Sequence, residues 1–482
     1  MSVDLGRIAL EEAVKAGASY ADIRVGEILD EELAVKNGIP DEVNLSQTKG
    51  FGVRVIMNGS WGFAASIDVT KEEIIKVAHK AVQIAEASSK VKKKTVKLEP
   101  SKSLKDEYST PMKKNPFDVS LKDKIETLLD AENKMASQSP LIKVTQAFFR
   151  SMQENKLFIS TEEVEVKQRI NWCGGGILAV AIKNGEVQRR SYPASFRGNY
   201  STSGYEHFES LELSEHAEKV GKEAVQLLEA KKCPTTTTDL ITRGEQLALQ
   251  IHESCGHPTE LDRALGTEAD YAGTSFLTPD EMNKLRYGSE IVNIVADATV
   301  PGGLGTFGYD DEGVKAKKVY LVKEGMFVGY QSSRETAALI GLAESSGSMR
   351  ADSPLKIPLI RMTNIDLEPG EWKAEEIVEE TKKGILMEVN RSWSIDDRRL
   401  NFQFGTEIGW KIDNGEIVEV LKNPTYTGLT PEFWGSCNAI SRDDWKMWGT
   451  PNCGKGVPGQ VMYVGHGCGT ARFEEVRVGL IK

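Results

Sequence analysis

Apolar residues recur at helical intervals in the first stretch of the chain, Val3 to Ala18, where Leu5, Ile8, Ala9, Ala13 and Val14 follow one another around a helix. Strand-like runs come next. The clearest is Gly52 to Ser66, in which Asn58-Gly59 separates VRVIM from SWGFAA, a strong hairpin signal. Thr70 to Ala87 reads as a helix, with acidic residues in its first turn and Ile74, Val77, Ala78 and Ala81 on one face. Leu121 to Met135 is a further helix, followed by alternating runs at Val144–Arg150, Lys156–Ser160 and Val164–Ile170. Ile177 to Arg190 is a second hairpin around Asn184-Gly185, and Ser214 to Ala230 a helix with Ser214 as its expected N-cap. Glycines, a strand, Asn-Gly and a strand thus occur from both Gly52 and Gly174, which we read as two similar hairpins rather than a repeat.

From Asp239 onwards the pattern is mostly strand-like: Val292–Val300, Lys315–Tyr330, Leu355–Ile365 and Glu407–Val420. Their turns fall at Lys323-Glu324-Gly325, Glu368-Pro369-Gly370 and Asp413-Asn414-Gly415, and helices interrupt at Arg334–Leu342 and Ala374–Lys383. Two stretches read as linkers: Lys90 to Pro116, charged and with three prolines, and Lys231 to Thr238 (KKCPTTTT). They divide the chain into 1–98, 99–230 and 231–482. The fold class expected is α+β, with a mixed α/β N-terminal half of hairpins and helices and a β-rich C-terminal domain.

Composition narrows this picture. A chain of 482 residues is too long for one compact core, and 40% hydrophobic with 27% charged residues is ordinary globular usage. A net charge of -11 argues against a general nucleic-acid binder, and the one basic run, KVKKKTVK at Lys90 to Lys97, reads as a solvated linker. The longest apolar stretch, Gly176 to Ile182, is far short of the ~20 residues that span a bilayer. The opening MSVDLGRIALEEAV has no apolar run of the signal-peptide kind. Six scattered cysteines fit a reducing, cytoplasmic setting, with thiols free or metal-bound rather than paired.

The chemistry concentrates in HESCGH, His252 to His257, within a helix expected over Gly244 to Gly256. Leu247, Ala248, Ile251 and Cys255 form its core stripe, so Cys255 reads as a buried structural thiol although it stands three residues from His252. Two imidazoles bracketing a carboxylate can hold a metal ion and set a base beside it. Five positions, however, put His257 ~140° around a regular helix from His252. A π-bulge or an unwinding turn near Gly256-His257-Pro258 is needed to bring both rings to one point. A third ligand stays open on spacing alone: Cys453 lies in one glycine-rich loop (PNCGKGVPGQ), His466 and Cys468 in another (VGHGCG). On these residues alone a structural histidine pair accounts for the motif as well as a metal site does.

HExxxH at His252 to His257, Glu260 and Asp262 shortly after it, DDEG at Asp310 to Gly313, RMTN at Arg361 to Asn364 and CGKxxxGQ at Cys453 to Gln460 together resemble the TldD/PmbA family, over most of the chain. The resemblance implies an intracellular metallopeptidase, assembled as a dimer, of the TldD type that carries HExxxH. Its zinc ligands fall on His252, His257 and Cys453, and its catalytic carboxylate on Glu253. Zn2+ is then the expected cofactor and a small or unstructured peptide the substrate. Glu253 is expected to take a proton from metal-activated water and return it to the leaving amine. His466, Arg361, Asn364, Glu260 and Asp262 are expected on the substrate side or behind the ligands. A departure follows CGK…GQ, where the chain reads MYVGHGCG and adds His466 and Cys468. A homodimer is expected, with a TldE/PmbA-type subunit the other partner. Two rival readings stand beside this one: a thiol hydrolase using Cys453 with a histidine, and a non-catalytic structural zinc. The segment from Trp434 to Trp448, rich in tryptophan and charge, has no assignment.

Overall fold

The computed structural model describes residues 3–479; the outermost positions of the first and third segments lie outside the described residues. Helix α1 (Val3–Lys15) buries Gly6, Ala9, Leu10 and Ala13, whereas Val14, expected on that face, is exposed. It leads into strands β1 (Tyr20–Lys36), β2 (Ile39–Met57) and β3 (Ser60–Ser66), then helix α2 (Lys71–Ser89), capped by the Thr70 side chain. The expected hairpin closes as its composition requires, with Asn58 at φ 51° and Gly59 at 69°. Asn184-Gly185 does the same, and Asn37-Gly38 makes a third such turn between β1 and β2.

The region expected as a linker contains strand β4 (Leu104–Ser109). Helix α3 (Leu121–Ala136), strands β5 (Ile142–Ser160), β6 (Val164–Lys183), β7 (Glu186–Tyr192) and β8 (Asn199–Ser201) and helices α4 (Tyr205–Ser210) and α5 (Leu213–Glu229) follow. Ser214 does not cap α5. The cap position is Glu212, at φ 49° without a side-chain bond, and the Ser214 hydroxyl donates to Asp130 instead (2.6 Å).

One sheet joins the first two segments, in the order β3-β2-β1-β5-β6-β4, with β7 and β8 also on β6. β1 runs antiparallel to β5 from Asp22↔Ser160 to Lys36↔Gln146. Alternate side chains of the long strands line one face. Ile23, Val25, Leu157 and Ile159 pack with α1 and α2; Leu33, Val35, Ala147 and Phe149 pack with α3 and α5. Residues of the opposite parity, Asp22, Arg24, Arg54 and Lys156, are buried and charged. They meet the loop that carries DDEG. Asp311 takes Lys156 (2.9 Å) and Arg24 (3.5 Å), and Glu312 takes Arg54 (3.3 Å), which also grips Asp22 (2.7 Å). Asp310 shapes the loop by accepting the amides of Glu312, Val314 and Met349.

The C-terminal part is β-rich. Strands 383–395, 236–243, 471–478, 425–429 and 401–413 pair in that order, and the last pairs back to the first, closing a ring. Its apolar interior is aromatic: Phe402, Phe404, Tyr426, Phe433 and Phe473 pack ring against ring. A four-stranded sheet (294–297, 318–323, 326–327, 365–367) and a hairpin of 446–455 with 460–468 flank it. The strand expected at Val292–Val300 is cut to 294–297 ahead of Pro301-Gly302, and Leu355–Ile365 keeps only 359–360, after Pro358, and the start of 365–367. Among the described residues no helix is long and apolar enough to cross a membrane.

Candidate metal centre

Helix α6 (Glu245–Ile251) follows the ring strand 236–243, and Tyr426 of the ring holds it through Gln246 (2.8 Å) and Gln250 (2.9 Å). At His252 the helix widens into a π turn, His252 to Gly256, and then tightens into a 3-10 turn at His257–Thr259. This is the loosening that a five-residue spacing requires. Gly256 permits it at close quarters, since a Cβ there would lie 2.4 Å from the sulfur of Met362 in RMTN. Trp434 donates to the Ser254 hydroxyl (2.9 Å) and Tyr287 to the Ser254 carbonyl (2.9 Å), so the widened turn is pinned from the core.

The turn brings both imidazoles to the hairpin. One donor atom each from His252, His257 and Cys453 lies within 4.8 Å of the others, and all three residues are buried. Cys453 Sγ is 3.8 Å from His257 Nε2. Imidazole nitrogen and thiolate sulfur sit about 2.0–2.3 Å from a bound zinc, so atoms this near one another can share an ion after small side-chain rotations.

The partners behind the rings suit that use. His257 Nδ1 donates to Glu260 (3.0 Å), which leaves Nε2 and its lone pair toward Cys453. His466 Nδ1 donates to the Ile365 carbonyl (3.3 Å), so its Nε2 accepts from His252 Nδ1 (2.9 Å) and His252 Nε2 is left free to coordinate. Burial lowers the basicity of His252 and, more strongly, of His257, which favours the neutral rings a metal needs. Burial pushes the Cys453 thiol up, but the charge of Arg361 and the His257 ring outweigh it and the net direction is down, toward thiolate.

The remaining residues singled out by the sequence surround this point. Arg361 donates to the carbonyls of Cys453 and Gln460 (3.3 Å for the latter), fixing the hairpin that carries the thiol. Asp262 accepts from Lys455 (2.8 Å), and the same ammonium lies 3.4 Å from Glu260. Asn364 is not directed into the site. Its side chain accepts from Gly305 N (2.8 Å) and donates to Asp297 O (2.7 Å) and Thr306 Oγ1 (2.9 Å), a scaffold beside the hairpin. Cys255 is fully buried in the main core, where burial pushes its thiol up to about 12, and Cys468 points to the Gly244 carbonyl (3.6 Å). The cysteines are all free. The Trp434–Trp448 stretch wraps this region: Trp445 donates to Leu367 O (2.8 Å) and Trp448 stacks under Lys446.

One participant was absent from the sequence reading. Arg399, on the turn between ring strands 383–395 and 401–413, donates through Nη1 to Glu253 Oε2. The string DDRRL reads as an exposed charged turn, and no spacing links it to HESCGH.

Three family models cover the chain: PmbA/TldA metallopeptidase domain 1 at residues 21–85, the central domain at 114–231 and the C-terminal domain at 235–480. A metalloprotease of Methanocaldococcus jannaschii is 32% identical over 463 residues, covering 96% of this chain and 97% of that one. A zinc metalloprotease TldD homolog of Saccharolobus solfataricus is 24% identical over 471 residues, with 98% of both covered. The crystal structure of TldE from Thermococcus kodakarensis superposes with a TM-score of 0.76 at 17% identity, over 99% of this chain and 100% of that one, a likeness of fold.

Proposed function

Because this chain belongs to the PmbA/TldA metallopeptidase family, we propose that it is a zinc peptidase that cleaves small or unstructured peptides, with His252, His257 and Cys453 as ligands and Glu253 as the proton carrier. That it is a metallopeptidase of the TldD type rests on the family together with the names of its relatives. The observation that carries the finer reading is the convergence of three buried donors of suitable protonation at a π turn. Zinc, when bound, polarises the scissile carbonyl and brings the pKa of its water to about 7.

The chain's own residues do the rest. Glu260 and His466 hold the two rings with their coordinating nitrogens forward. Arg361 and Lys455 brace the hairpin that brings the thiol. Glu253, one residue along the helix from His252, takes the proton of the attacking water and delivers it to the amine nitrogen as the C–N bond breaks. The three-part division 1–98, 99–230 and 231–482, a cytoplasmic setting and a dimer, either of two copies or with a TldE/PmbA-type subunit, belong to the same reading.

The test is elemental analysis joined to peptide turnover. Wild type and Glu253→Gln should each carry about one zinc per chain, with turnover of the variant down by about 10²–10⁴. Cys453→Ala should lose the metal. Full activity in Glu253→Gln would remove the mechanism. A thiol hydrolase draws on the 3.8 Å approach of Cys453 to His257. Activity indifferent to chelator would favour it; loss with chelator and return with zinc favours the metal. A zinc-loaded protein that cleaves no peptide would leave the metal a structural part.

A further inference from the structure

Arg399 reaches the site by a built route. Asp396 caps the turn by accepting the amides of Leu400 (2.9 Å) and Asn401 (3.1 Å), and Arg399 itself adopts φ 64°. The Thr430 hydroxyl holds the Arg399 carbonyl (2.9 Å). The turn is gripped from the far side as well, where Thr274 N and Phe276 N donate to the carbonyls of Asp397 and Arg398 (3.0 Å each). A left-handed backbone on a non-glycine residue is sustained only where surroundings determine it, and here they aim one guanidinium at the carboxylate next to a ligand.

That guanidinium is only partly engaged. Nη1 donates to Glu253, and the side chain keeps 16% of its surface exposed. Through Glu253 it stands one residue from His252, one of the converging donors.

Resting on the peptidase reading above, we infer that Arg399 is a catalytic residue: it orients the Glu253 carboxylate through Nη1 and offers the remaining N–H groups at the exposed end of its guanidinium to the carbonyl oxygen of the bond being cleaved. In hydrolysis the water oxygen bonds to the carbonyl carbon and one of its protons passes to Glu253. The carbonyl π electrons move onto oxygen; as they return, the C–N bond breaks and the amine leaves with the proton from Glu253. Charge on that oxygen rises and falls within the step, and a preorganised guanidinium lowers the barrier because it is stronger there than in the ground state.

The experiment uses zinc-loaded full-length protein, with a tryptic digest of an unfolded protein as substrate and new amines as the readout. Arg399→Ala should lower kcat by about 10²–10³ with KM changed by less than about threefold. Arg399→Lys, which keeps charge but not the fork, should fall between, and millimolar guanidinium should restore part of the Arg399→Ala loss. A second readout is independent of turnover. Removing a positive charge beside the donors should leave zinc affinity unchanged or tighter in chelator competition. The inference is overturned if Arg399→Ala keeps kcat within about threefold, or if it loses activity together with zinc, which would make the residue a structural brace. If wild type cleaves nothing, or Glu253→Gln is fully active, it is the peptidase reading that fails.

Discussion

Two buried groups of ionisable side chains in this molecule are built in opposite ways. Where the DDEG loop docks on the N-terminal sheet, each charge faces one of opposite sign: Asp311 between Lys156 and Arg24, Arg54 between Asp22 and Glu312. At the π turn, two neutral-leaning imidazoles and a thiol point at one another, with their orienting partners behind them rather than between them. The first group is paired charge against charge within the chain, although Arg24 Nε has no hydrogen-bond partner among the described residues. The second gathers the donor atoms of His252, His257 and Cys453 within 4.8 Å of one another, a spacing that fits a shared metal ion. Burial thus serves cohesion in one region and ligand preparation in the other.

The comparison can be broken most severely at the interface. Asp311→Ala leaves Lys156 and Arg24 buried without their shared carboxylate and should cost about 3–5 kcal/mol in denaturant unfolding. Zinc stoichiometry of the folded fraction should stay at one, because no ligand touches that cluster. A smaller effect is expected at the centre. His466→Ala removes the acceptor for His252 Nδ1 and should weaken zinc about 10- to 100-fold in chelator competition, with little change in unfolding of the metal-free protein. The smallest effect separates the core thiol from the coordinating one. Cys255→Ser should cost about 1–2 kcal/mol by burying a hydroxyl, while zinc content and affinity match wild type. Loss of zinc there would place Cys255 among the ligands.

Much of this was legible in the chain. Periodicity located α1, α2, α3 and α5, and Asn-Gly pairs located two of the hairpins, because one-sided burial governs the first and local turn chemistry the second. The need for a loosened helix at Gly256 followed from angular arithmetic alone. Other parts were hidden for physical reasons. The middle of β1 (EILDEE) is half-buried on both faces, so its alternation is blurred over a strand of 17 residues. Cys453 could be separated from His466 and Cys468 only by resemblance to a family, since nothing in a glycine-rich loop says how far it travels in space. Arg399 stayed invisible because its place depends on a turn closing over segment 272–276, a tertiary event without a local signature. Asn364 looked chemical as part of a motif and proves to hold the backbone of a neighbouring loop.

The widened turn also rephases what comes after it. A π turn holds one residue more than the α turn it replaces, so every side chain past Gly256 is rotated by about 100° from where an uninterrupted helix would carry it. That rotation carries His257 toward Cys453, and Glu260, three residues further on, keeps its place behind the ring. A single-codon deletion within Ser254–Gly256 would restore a four-residue interval between the histidines and, in the same stroke, turn His257 and the acids after it away from the hairpin that carries Cys453 and Lys455. The spacing of the motif and the register of its supporting acids are therefore heritable only as a unit.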